Sequence, residues 1–263
     1  MWELQETRKK CRSIRENSFR LEQRPIGMFL QLVRNCATSS GTLIEIGCGR
    51  RGHFLRTLAA DFRQAYGVDL EVPAIIQEGN VTLLPGDATD VPLPDASADV
   101  IVSIDVFEHL ADPPAVLREC HRLLRPGGHI IIMTPNSAYP PLVLGRLLPH
   151  WLRAWFNLVL TGTRHDDTFP AFYRANSVTA VAEAARGAGL RSRTLDYVMD
   201  HPHYLMFSVW VYRLGILLER LFLRPRPLAC LRHSLVCHLQ KPPARRAARK
   251  RQSQCQRPHG QMA

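Results

Sequence analysis

Between residues 42 and 134, short runs of β-branched and apolar residues alternate with longer stretches of helical composition. Parallel strands need a crossover connection, usually a helix, so this alternation favours a parallel sheet that helices cover on both faces. The pattern therefore predicts an α/β fold with a doubly wound, Rossmann-like sheet. The first predicted strands are residues 42–46, 65–69, 81–87, 99–105 and 128–134.

Two further strands complete the predicted sheet. Residues 191–198 follow a predicted helix, and residues 233–240 alternate apolar and polar side chains. The sequence thus predicts a seven-stranded, mainly parallel sheet in a domain of residues 38–241. Residues 1–37 are expected to form an N-terminal helical extension with an apolar side.

Two long apolar insertions, at 137–173 and 200–231, interrupt this alternation. Each one leaves the sheet at the carboxyl end of a strand, where α/β proteins bind ligands, so both are expected to overhang the ligand site. Trp151 and Trp155 lie in the first insertion, and residues 204–223 of the second are apolar nearly all round. Such segments either pack as a lid or lie on a membrane surface.

The net charge of +11, taken alone, suggests an anionic partner, but most of this charge lies in one segment of the chain. Residues 241–263 carry seven Lys and Arg and no acid, so the remaining chain is only mildly basic. Residues 242–263 are predicted to be a disordered basic tail, since this composition cannot form a core. The tail is either simply solvated or contacts an anionic membrane or RNA, although nucleic acid is not the expected partner.

The seven cysteines have no regular spacing, which argues against a disulfide framework and favours a reducing compartment. The N-terminal residues are charged from the third position, so no signal peptide is predicted. No apolar run reaches the length of a transmembrane helix. We therefore expect a cytoplasmic protein, and any association with a membrane is expected to be peripheral.

A glycine-rich turn follows the first predicted strand. Gly47, Gly49 and Gly52 satisfy the GxGxxG pattern, and Asp69 ends the second strand where a carboxylate can bind a ribose diol. Taken alone, this spacing would suit a nicotinamide dinucleotide. Glu45 argues against that ligand, because a carboxylate at the turn repels a pyrophosphate and suits a cationic ligand such as S-adenosylmethionine.

Four ordered motifs over residues 42–136 resemble the class I S-adenosylmethionine-dependent methyltransferases, in particular the small-molecule branch similar to quinone-biosynthesis enzymes. The motifs are EIGCG, GVDLE, GDATDVPLPDASADVIVSIDVFEHL and LRECHRLLRPGGHIIIMTPN. One departure is that the third glycine of the family pattern falls on Arg51, with Gly52 one place later.

The resemblance implies a role for each matching position. It places Gly47 and Gly49 at the methionine part of the cofactor, Asp69 at the ribose, Asp87 and Ala88 at the adenine, and Asp105 with Val106 at the methionine end. The full set of expected cofactor-binding residues is Glu45, Gly47, Cys48, Gly49, Asp69, Leu70, Asp87, Ala88, Asp105 and Val106.

His109 is the candidate catalytic residue, because an imidazole beside the reacting centre could remove a proton from an acceptor hydroxyl. The alternative is a histidine that merely completes the pocket. A second polar cluster, residues 165–167, either faces the acceptor or lies in a solvated loop. No metal site is predicted, because Cys237 and His238 of the last strand point to opposite faces of the sheet.

The predicted function is methyl transfer from S-adenosylmethionine to a small, hydrophobic or lipid-like acceptor, with an anionic membrane surface as a further partner. Two alternatives stay open at this stage. One is an NAD-dependent oxidoreductase, which the glycine spacing permits. The other is a non-catalytic adaptor or RNA-binding protein with the same fold, which the basic tail permits.

Overall fold

In the computed structural model, which describes residues 2–18, 20–21, 24–147, 170–223 and 225–244, eight strands form one open sheet. In chain order they are β1 (Thr42–Ile46), β2 (Gln64–Asp69), β3 (Ile76–Glu78), β4 (Val81–Pro85), β5 (Ala98–Ile104), β6 (Leu124–Pro135), β7 (Arg191–Val198) and β8 (Ser234–Gln240). Their spatial order is β3-β4-β2-β1-β5-β6-β8-β7. Strand β3 is antiparallel to β4, β8 is antiparallel to both of its neighbours, and the other pairs are parallel.

Seven α-helices accompany the sheet in the described residues. They are α1 (Trp2–Ser18), α2 (Pro25–Cys36), α3 (His53–Leu58), α4 (Pro113–Leu123), α5 (Pro140–Leu147), α6 (Val178–Gly187) and α7 (Val209–Leu223). Side chains cap two of them: Asp112 accepts a hydrogen bond from the Ala115 amide at α4, and Ser177 accepts one from the Ala180 amide at α6. Each cap satisfies an amide that has no partner inside the helix.

The predicted α/β class and the mainly parallel sheet are confirmed, but the predicted number of strands is wrong. The additional strand is β3, which has three residues and hydrogen bonds only to β4. A strand this short and this exposed shows no alternation of apolar and polar residues, so periodicity could not reveal it. It forms because Gly79, with φ +59°, turns the chain directly into β4.

Helices bury both faces of the sheet, as the alternating sequence predicts. One face packs against α4 and α6 around residues such as Ile101, Leu117 and Val181. The other face packs against α2 and α3, and Phe29 and Val33 of α2 are fully buried there. Helix α2 is therefore part of the core, and it brings its first turn close to the end of β1.

The segments that follow β6 and β7 leave the sheet from one edge. Strand β8 is antiparallel to both β6 and β7, so these two strands run in the same direction as β1. Their carboxyl ends therefore lie at the same edge of the sheet as the carboxyl end of β1. Within the second segment, α7 packs against α1 through buried Cys11, Tyr212 and Ile216. None of the described helices is both long and apolar enough to cross a membrane.

Parts of the sequence prediction fall outside the described residues. These are Trp151 and Trp155, the polar cluster at 165–167, and nearly all of the basic tail. The division into an extension, a domain and a tail stays a prediction.

Candidate functional site

Residues 47–52, here named the glycine turn, connect β1 to α3 through backbone conformations that favour glycine. Gly47, Gly49 and Gly52 have φ values of +76°, +63° and +56°. The Gly47 amide donates to the Val68 carbonyl of β2 at 2.8 Å, which holds the turn against the neighbouring strand. A Cβ on Gly47 would lie 2.2 Å from Cγ2 of Val106, whereas a Cβ on Gly49 would meet no atom within 4 Å. The turn thus needs Gly47 for packing and leaves open space beside Gly49.

The carboxylate of Asp69, at the end of β2, closes the glycine turn. Its Oδ2 accepts a hydrogen bond from the Gly49 amide at 2.8 Å, and its Oδ1 accepts one from the Glu71 amide at 2.8 Å. Two amide donors stabilise the ionised carboxylate and fix its orientation. The structure therefore brings together two residues that the sequence placed at one site.

The side chain of Glu45 is buried beneath the glycine turn with only 2% of its surface exposed. Burial raises its pKa to about 8; a hydrogen bond from the Leu55 amide opposes this increase, and the charge of Asp69 adds to it. The Oε2 atom has no hydrogen-bond partner among the described residues. A buried carboxyl oxygen without a donor is costly, and a cationic ligand would relieve that cost.

We expect Glu45→Gln to reduce the loss of stability at alkaline pH. The pKa of about 8 in the folded chain lies above the ordinary 4.5, so the folded state binds this proton more tightly than the unfolded state. The contribution to stability is complete below about pH 4.5 and is lost as pH rises through 8. Urea unfolding should show that the free energy of unfolding falls between pH 6 and pH 9, and that this fall is smaller in the variant by roughly 2 kcal/mol. Equal falls in both proteins would contradict this assignment.

A cleft of about 710 Å³ opens at this edge of the sheet, and five of the predicted residues line it. These five are Glu45, Gly47, Cys48, Gly49 and Asp105. Sequence analysis did not single out the others, which are Ile26, Arg50, Arg51, His53, Phe54, Ile104 and Met133. Ile26 comes from α2, and only the packing of that helix on the sheet reveals its place in the cleft.

The thiol of Cys48 lies inside the glycine turn and donates to the Gly49 carbonyl at 3.3 Å. Burial, together with the carboxylates of Glu45 and Asp69, raises its pKa to about 12. A thiol protonated at neutral pH is a poor nucleophile, so Cys48 contributes packing rather than chemistry.

The other predicted cofactor residues lie near the cleft but do not line it. Leu70 is 65% exposed beyond the end of β2, and Ala88 packs partly against the core. The Asp87 carboxylate accepts hydrogen bonds from the Thr89 amide and hydroxyl, both at 2.7 Å, and these lower its pKa. Val106 packs against Gly47. Asp69 does not line the cleft either, and the assignment of all ten predicted residues to the cofactor stays a prediction.

Asp105 ends β5 in a backbone conformation that is rare for a residue with a side chain. Its φ is +52°, and its amide donates to the Met133 carbonyl at 2.9 Å. Solvent reaches the side chain, yet desolvation by the surrounding protein and the neighbouring Glu108 raise its pKa to about 7. Strained backbone of this kind concentrates at functional sites, and here it turns a carboxylate toward the cleft.

A buried polar network beside Asp105 was missed by the sequence analysis. Oε2 of Glu108 accepts from the Thr134 hydroxyl at 2.9 Å, and Nδ2 of Asn176 donates to the Thr134 oxygen at 2.7 Å. The Glu108 carbonyl also accepts from the Phe172 and Tyr173 amides. The network ties the end of β5 to the end of β6 and to the chain after the first insertion. Its members come from distant parts of the sequence, which is why no local motif joins them.

His109 lies at the rim of this network. Its Nδ1 is 3.2 Å from the Pro170 carbonyl, and its Nε2 is 4.0 Å from Oε1 of Glu108. A carbonyl oxygen can only accept, so the neutral ring carries its proton on Nδ1 and its lone pair on Nε2. Such an imidazole can act as a base.

Comparison with known proteins gives matches in sequence and in fold. Residues 44–132 match the family described as "Methyltransferase domain". A "Ubiquinone biosynthesis O-methyltransferase" of Pseudomonas paraeruginosa is 31% identical over 184 residues, which cover 62% of this chain and 71% of that protein. The chain belongs to the class I S-adenosylmethionine-dependent methyltransferase family. That family implies S-adenosylmethionine as the cofactor and favours it over NAD.

Other relatives of this chain match over shorter regions. A "Probable S-adenosylmethionine-dependent methyltransferase" of Mycolicibacterium smegmatis is 34% identical over 113 residues, which cover 41% of this chain. The chain thus spans only 43% of the length of that relative.

Solved structures agree in fold. An S-adenosylmethionine-dependent methyltransferase from Mesorhizobium loti has a TM-score of 0.51 at 16% identity, covering 84% of this chain and 99% of its own. The [4+2]-cyclase SpnF has a TM-score of 0.52 at 15% identity, with 82% of each chain covered. At these identities the likeness shows the fold alone, and the same fold carries different reactions.

The residues of this chain fit the cofactor at three points. Glu45 offers a buried carboxyl oxygen without a donor, the space beside Gly49 is open, and the Asp69 carboxylate is held in a fixed orientation. A ligand with a cationic end and a ribose diol would satisfy the first and last of these.

We expect Asp69→Ala to weaken binding of S-adenosylhomocysteine by about 1.5 to 3 kcal/mol, the cost of losing a charge-assisted hydrogen bond. The variant also removes the acceptor of the Gly49 amide, which loosens the glycine turn. Calorimetric titration measures the effect. Asp61→Ala, which removes an exposed carboxylate after α3, is the matched control and should bind like wild type. Equal affinity in all three proteins would show that Asp69 does not touch the ligand.

Proposed function

We propose that this protein transfers a methyl group from S-adenosylmethionine to a small hydrophobic acceptor. The observation that carries the proposal is the cleft at the glycine turn, which Glu45, Gly49 and Asp105 line and where a Cβ on Gly49 would meet no protein atom within 4 Å. S-adenosylmethionine supplies an electrophilic methyl group on a sulfonium. The task of the chain is then to hold both reactants in line and to exclude water.

Each group at the cleft has a separate task in this proposal. Glu45 gives up its proton and pairs with the cationic end of the cofactor, whose charge favours the ionised carboxylate, and Asp69 orients the ribose. Asp105 projects from a strained position on the opposite side of the glycine turn, where its carboxylate can orient the amino acid end. Ile26, Phe54 and Met133 provide apolar walls that limit water at the reacting atoms.

His109 is proposed as the general base for an acceptor whose nucleophile carries a proton. The Nε2 atom, which carries the lone pair, lies on the side of the ring that faces Glu108, 4.0 Å from Oε1 of that residue. We expect His109→Gln to lower kcat by about 100-fold or more with little change in the KM for S-adenosylmethionine. An unchanged kcat in the variant would reduce His109 to a residue that shapes the pocket.

The acceptor is proposed to be hydrophobic because the two insertions, which leave the sheet at the edge where the cleft opens, carry exposed apolar side chains. On α7 these are Trp210, Val211, Leu214, Leu217, Leu218 and Leu221, here named the outer face of α7. On α5, Val143, Leu144 and Leu147 are exposed as well. Relatives named for ubiquinone biosynthesis and for malonyl-[acyl-carrier protein] support a small-molecule acceptor.

Helix α7 also supports delivery of the acceptor from a membrane surface. Its inner side buries polar groups: the Tyr139 hydroxyl donates to Oε1 of Glu219 at 2.7 Å and lies 3.2 Å from the Tyr204 hydroxyl. The outer face is apolar as well, whereas the outer face of an ordinary surface helix is polar. Arg213 and Arg220 on α7 and Arg146 on α5 add positive charge that favours an anionic surface.

Calorimetric titration with S-adenosylmethionine, S-adenosylhomocysteine and NAD tests the proposed cofactor. We expect both sulfur compounds to bind and NAD not to bind. Transfer of an isotopically labelled methyl group to hydroxylated quinone precursors, acyl chains and water-soluble phenols then tests the acceptor class. Binding of NAD alone would overturn the proposal, and binding of none of the three ligands would favour the adaptor alternative.

A further inference from the structure

A cluster of one thiol and two imidazoles lies on the opposite part of the sheet from the cleft. Cys36 ends α2, His129 lies in β6 and His238 lies in β8. Their ligand atoms all lie within 4.8 Å of one another. Sequence analysis did not consider Cys36 or His129, because 93 positions and five strands separate them along the chain.

The antiparallel pairing of β6 and β8 brings the two imidazoles together. Ile131 is opposite His238 and His129 is opposite Gln240, so the two histidines are diagonal neighbours on the face that α2 covers. Nδ1 of His129 is 2.9 Å from Nε2 of His238, and Sγ of Cys36 is 3.8 Å from the same nitrogen. All three side chains are half-buried.

These separations are close to those of ligands around a tetrahedral zinc ion. Zn–N bonds of about 2.05 Å and a Zn–S bond of about 2.3 Å place nitrogens about 3.3 Å apart and sulfur about 3.6 Å from nitrogen. The observed distances of 2.9 Å and 3.8 Å differ from these values by less than half an ångström. Side-chain rotations alone can make a change of this size.

We propose that Cys36, His129 and His238 form a binding site for Zn²⁺ or a similar thiophilic divalent cation. The Cys36 thiol loses its proton to solvent as its sulfur binds the metal. The hydrogen bond between the histidines is replaced by two metal–nitrogen bonds, and the ring proton moves to the other nitrogen. Solvent reaches the half-buried cluster, so water can supply the fourth ligand.

The charges near the cluster have opposing effects on this site. The cation of Arg193 on β7 lies near both histidines. The same Arg193 charge repels a divalent cation. Arg193 is exposed on β7, so water screens its charge, and the thiolate of Cys36 offsets one of the two charges of the metal.

The position of the cluster indicates a structural role. Along β6, His129 lies four residues before Met133, which is about 13 Å from the cleft at the rise of a strand. A metal there would fix the last residue of α2 to the sheet. The first turn of the same helix carries Ile26 into the cleft, so the metal would hold one wall of the proposed cofactor site. This inference does not depend on the proposed methyl transfer.

Cobalt titration of the full chain, after treatment with a chelator, tests the site directly. We expect a single equivalent of Co²⁺ to give the charge-transfer band of a thiolate ligand and the intense d–d bands of tetrahedral coordination. Zn²⁺ should displace the cobalt and raise the Tm of the wild-type protein. A wild-type spectrum without the thiolate band would overturn the proposal, whatever the variants do.

Variants assign the ligands. Loss of a residue that only supports a metal ligand typically costs 10- to 100-fold in affinity, so Cys36→Ser and His129→Asn are each expected to cost about 100-fold or more. Cys230→Ser, which removes an exposed thiol, should bind metal like wild type. If Cys36→Ser keeps the thiolate band, the metal is bound elsewhere and the proposal is wrong. Far-ultraviolet circular dichroism of each variant excludes unfolding as the cause of a loss.

Discussion

A valine at position 47 is expected to abolish binding of S-adenosylhomocysteine, with a loss of more than about 100-fold. Gly47 has φ +76°, a conformation that costs a residue with a side chain about 1 to 2 kcal/mol. Its Cβ would lie 2.2 Å from Cγ2 of Val106, and relief of that overlap costs about 1 to 3 kcal/mol more. Since the turn cannot keep its shape, the amide of Gly49 and the carboxylate of Asp69 separate. Calorimetric titration measures the loss.

Gly79→Val is the matched control. Gly79 has a similar φ of +59° in the turn between β3 and β4, and a Cβ there would meet no atom within 4 Å. The control therefore carries the backbone strain without the steric overlap and lies outside the cleft. It should lose some stability and bind S-adenosylhomocysteine like wild type.

Gly49→Ala tests whether the ligand fills the space in the cleft, independently of the packing that holds the glycine turn. Its Cβ would also meet no protein atom, so it projects only into the volume that the ligand is proposed to fill. We expect weaker binding in a chain that still folds. If Gly47→Val and Gly49→Ala both bind like wild type, the cofactor does not lie at the glycine turn.

The sequence predicts the central part of this site because its residues lie at the carboxyl ends of predicted parallel strands. Glu45, Asp69 and Asp105 each lie at such an end, and parallel strands bring these ends to one edge. The α/β class could therefore be predicted and is confirmed, whereas the hydrogen bond from the Gly49 amide to Asp69 is found only in the structure. What each carboxylate binds depends on ligand contacts, which spacing along the chain does not determine.

Contacts between distant segments could not be predicted in the same way. Ile26 reaches the cleft only because Phe29 and Val33 fix α2 on the sheet. Glu108, Thr134 and Asn176 form one network, but the sequence around each of them does not distinguish it from an ordinary polar residue. The pairing of His129 with His238 depends on the register of β6 and β8, and a shift of one residue would place one imidazole on the other face.

Removal of the outer face of α7 is expected to lower binding to anionic vesicles by about 100-fold. Trp210 is 77% exposed, and Leu214 and Leu221 follow it on the same stripe of the helix. Each of these side chains contributes about 1 kcal/mol if half of its surface enters the membrane interface. The change to test is Trp210→Gln with Leu214→Gln and Leu221→Gln, which keeps helix propensity close to that of leucine. Co-sedimentation with vesicles that contain phosphatidylserine measures binding.

Two comparisons decide whether the outer face itself makes the contact. Ile75→Gln removes an exposed apolar side chain from a part of the chain far from α7 in the sequence and should sediment like wild type. A chain that ends at Ala244 removes the basic tail, so any binding that it loses is electrostatic and should also disappear as salt rises. The apolar contribution persists at high salt, because screening acts on charges and not on buried surface. If wild type and the triple variant bind equally at both salt concentrations, the outer face is not a membrane surface, and the acceptor reaches the cleft from solution.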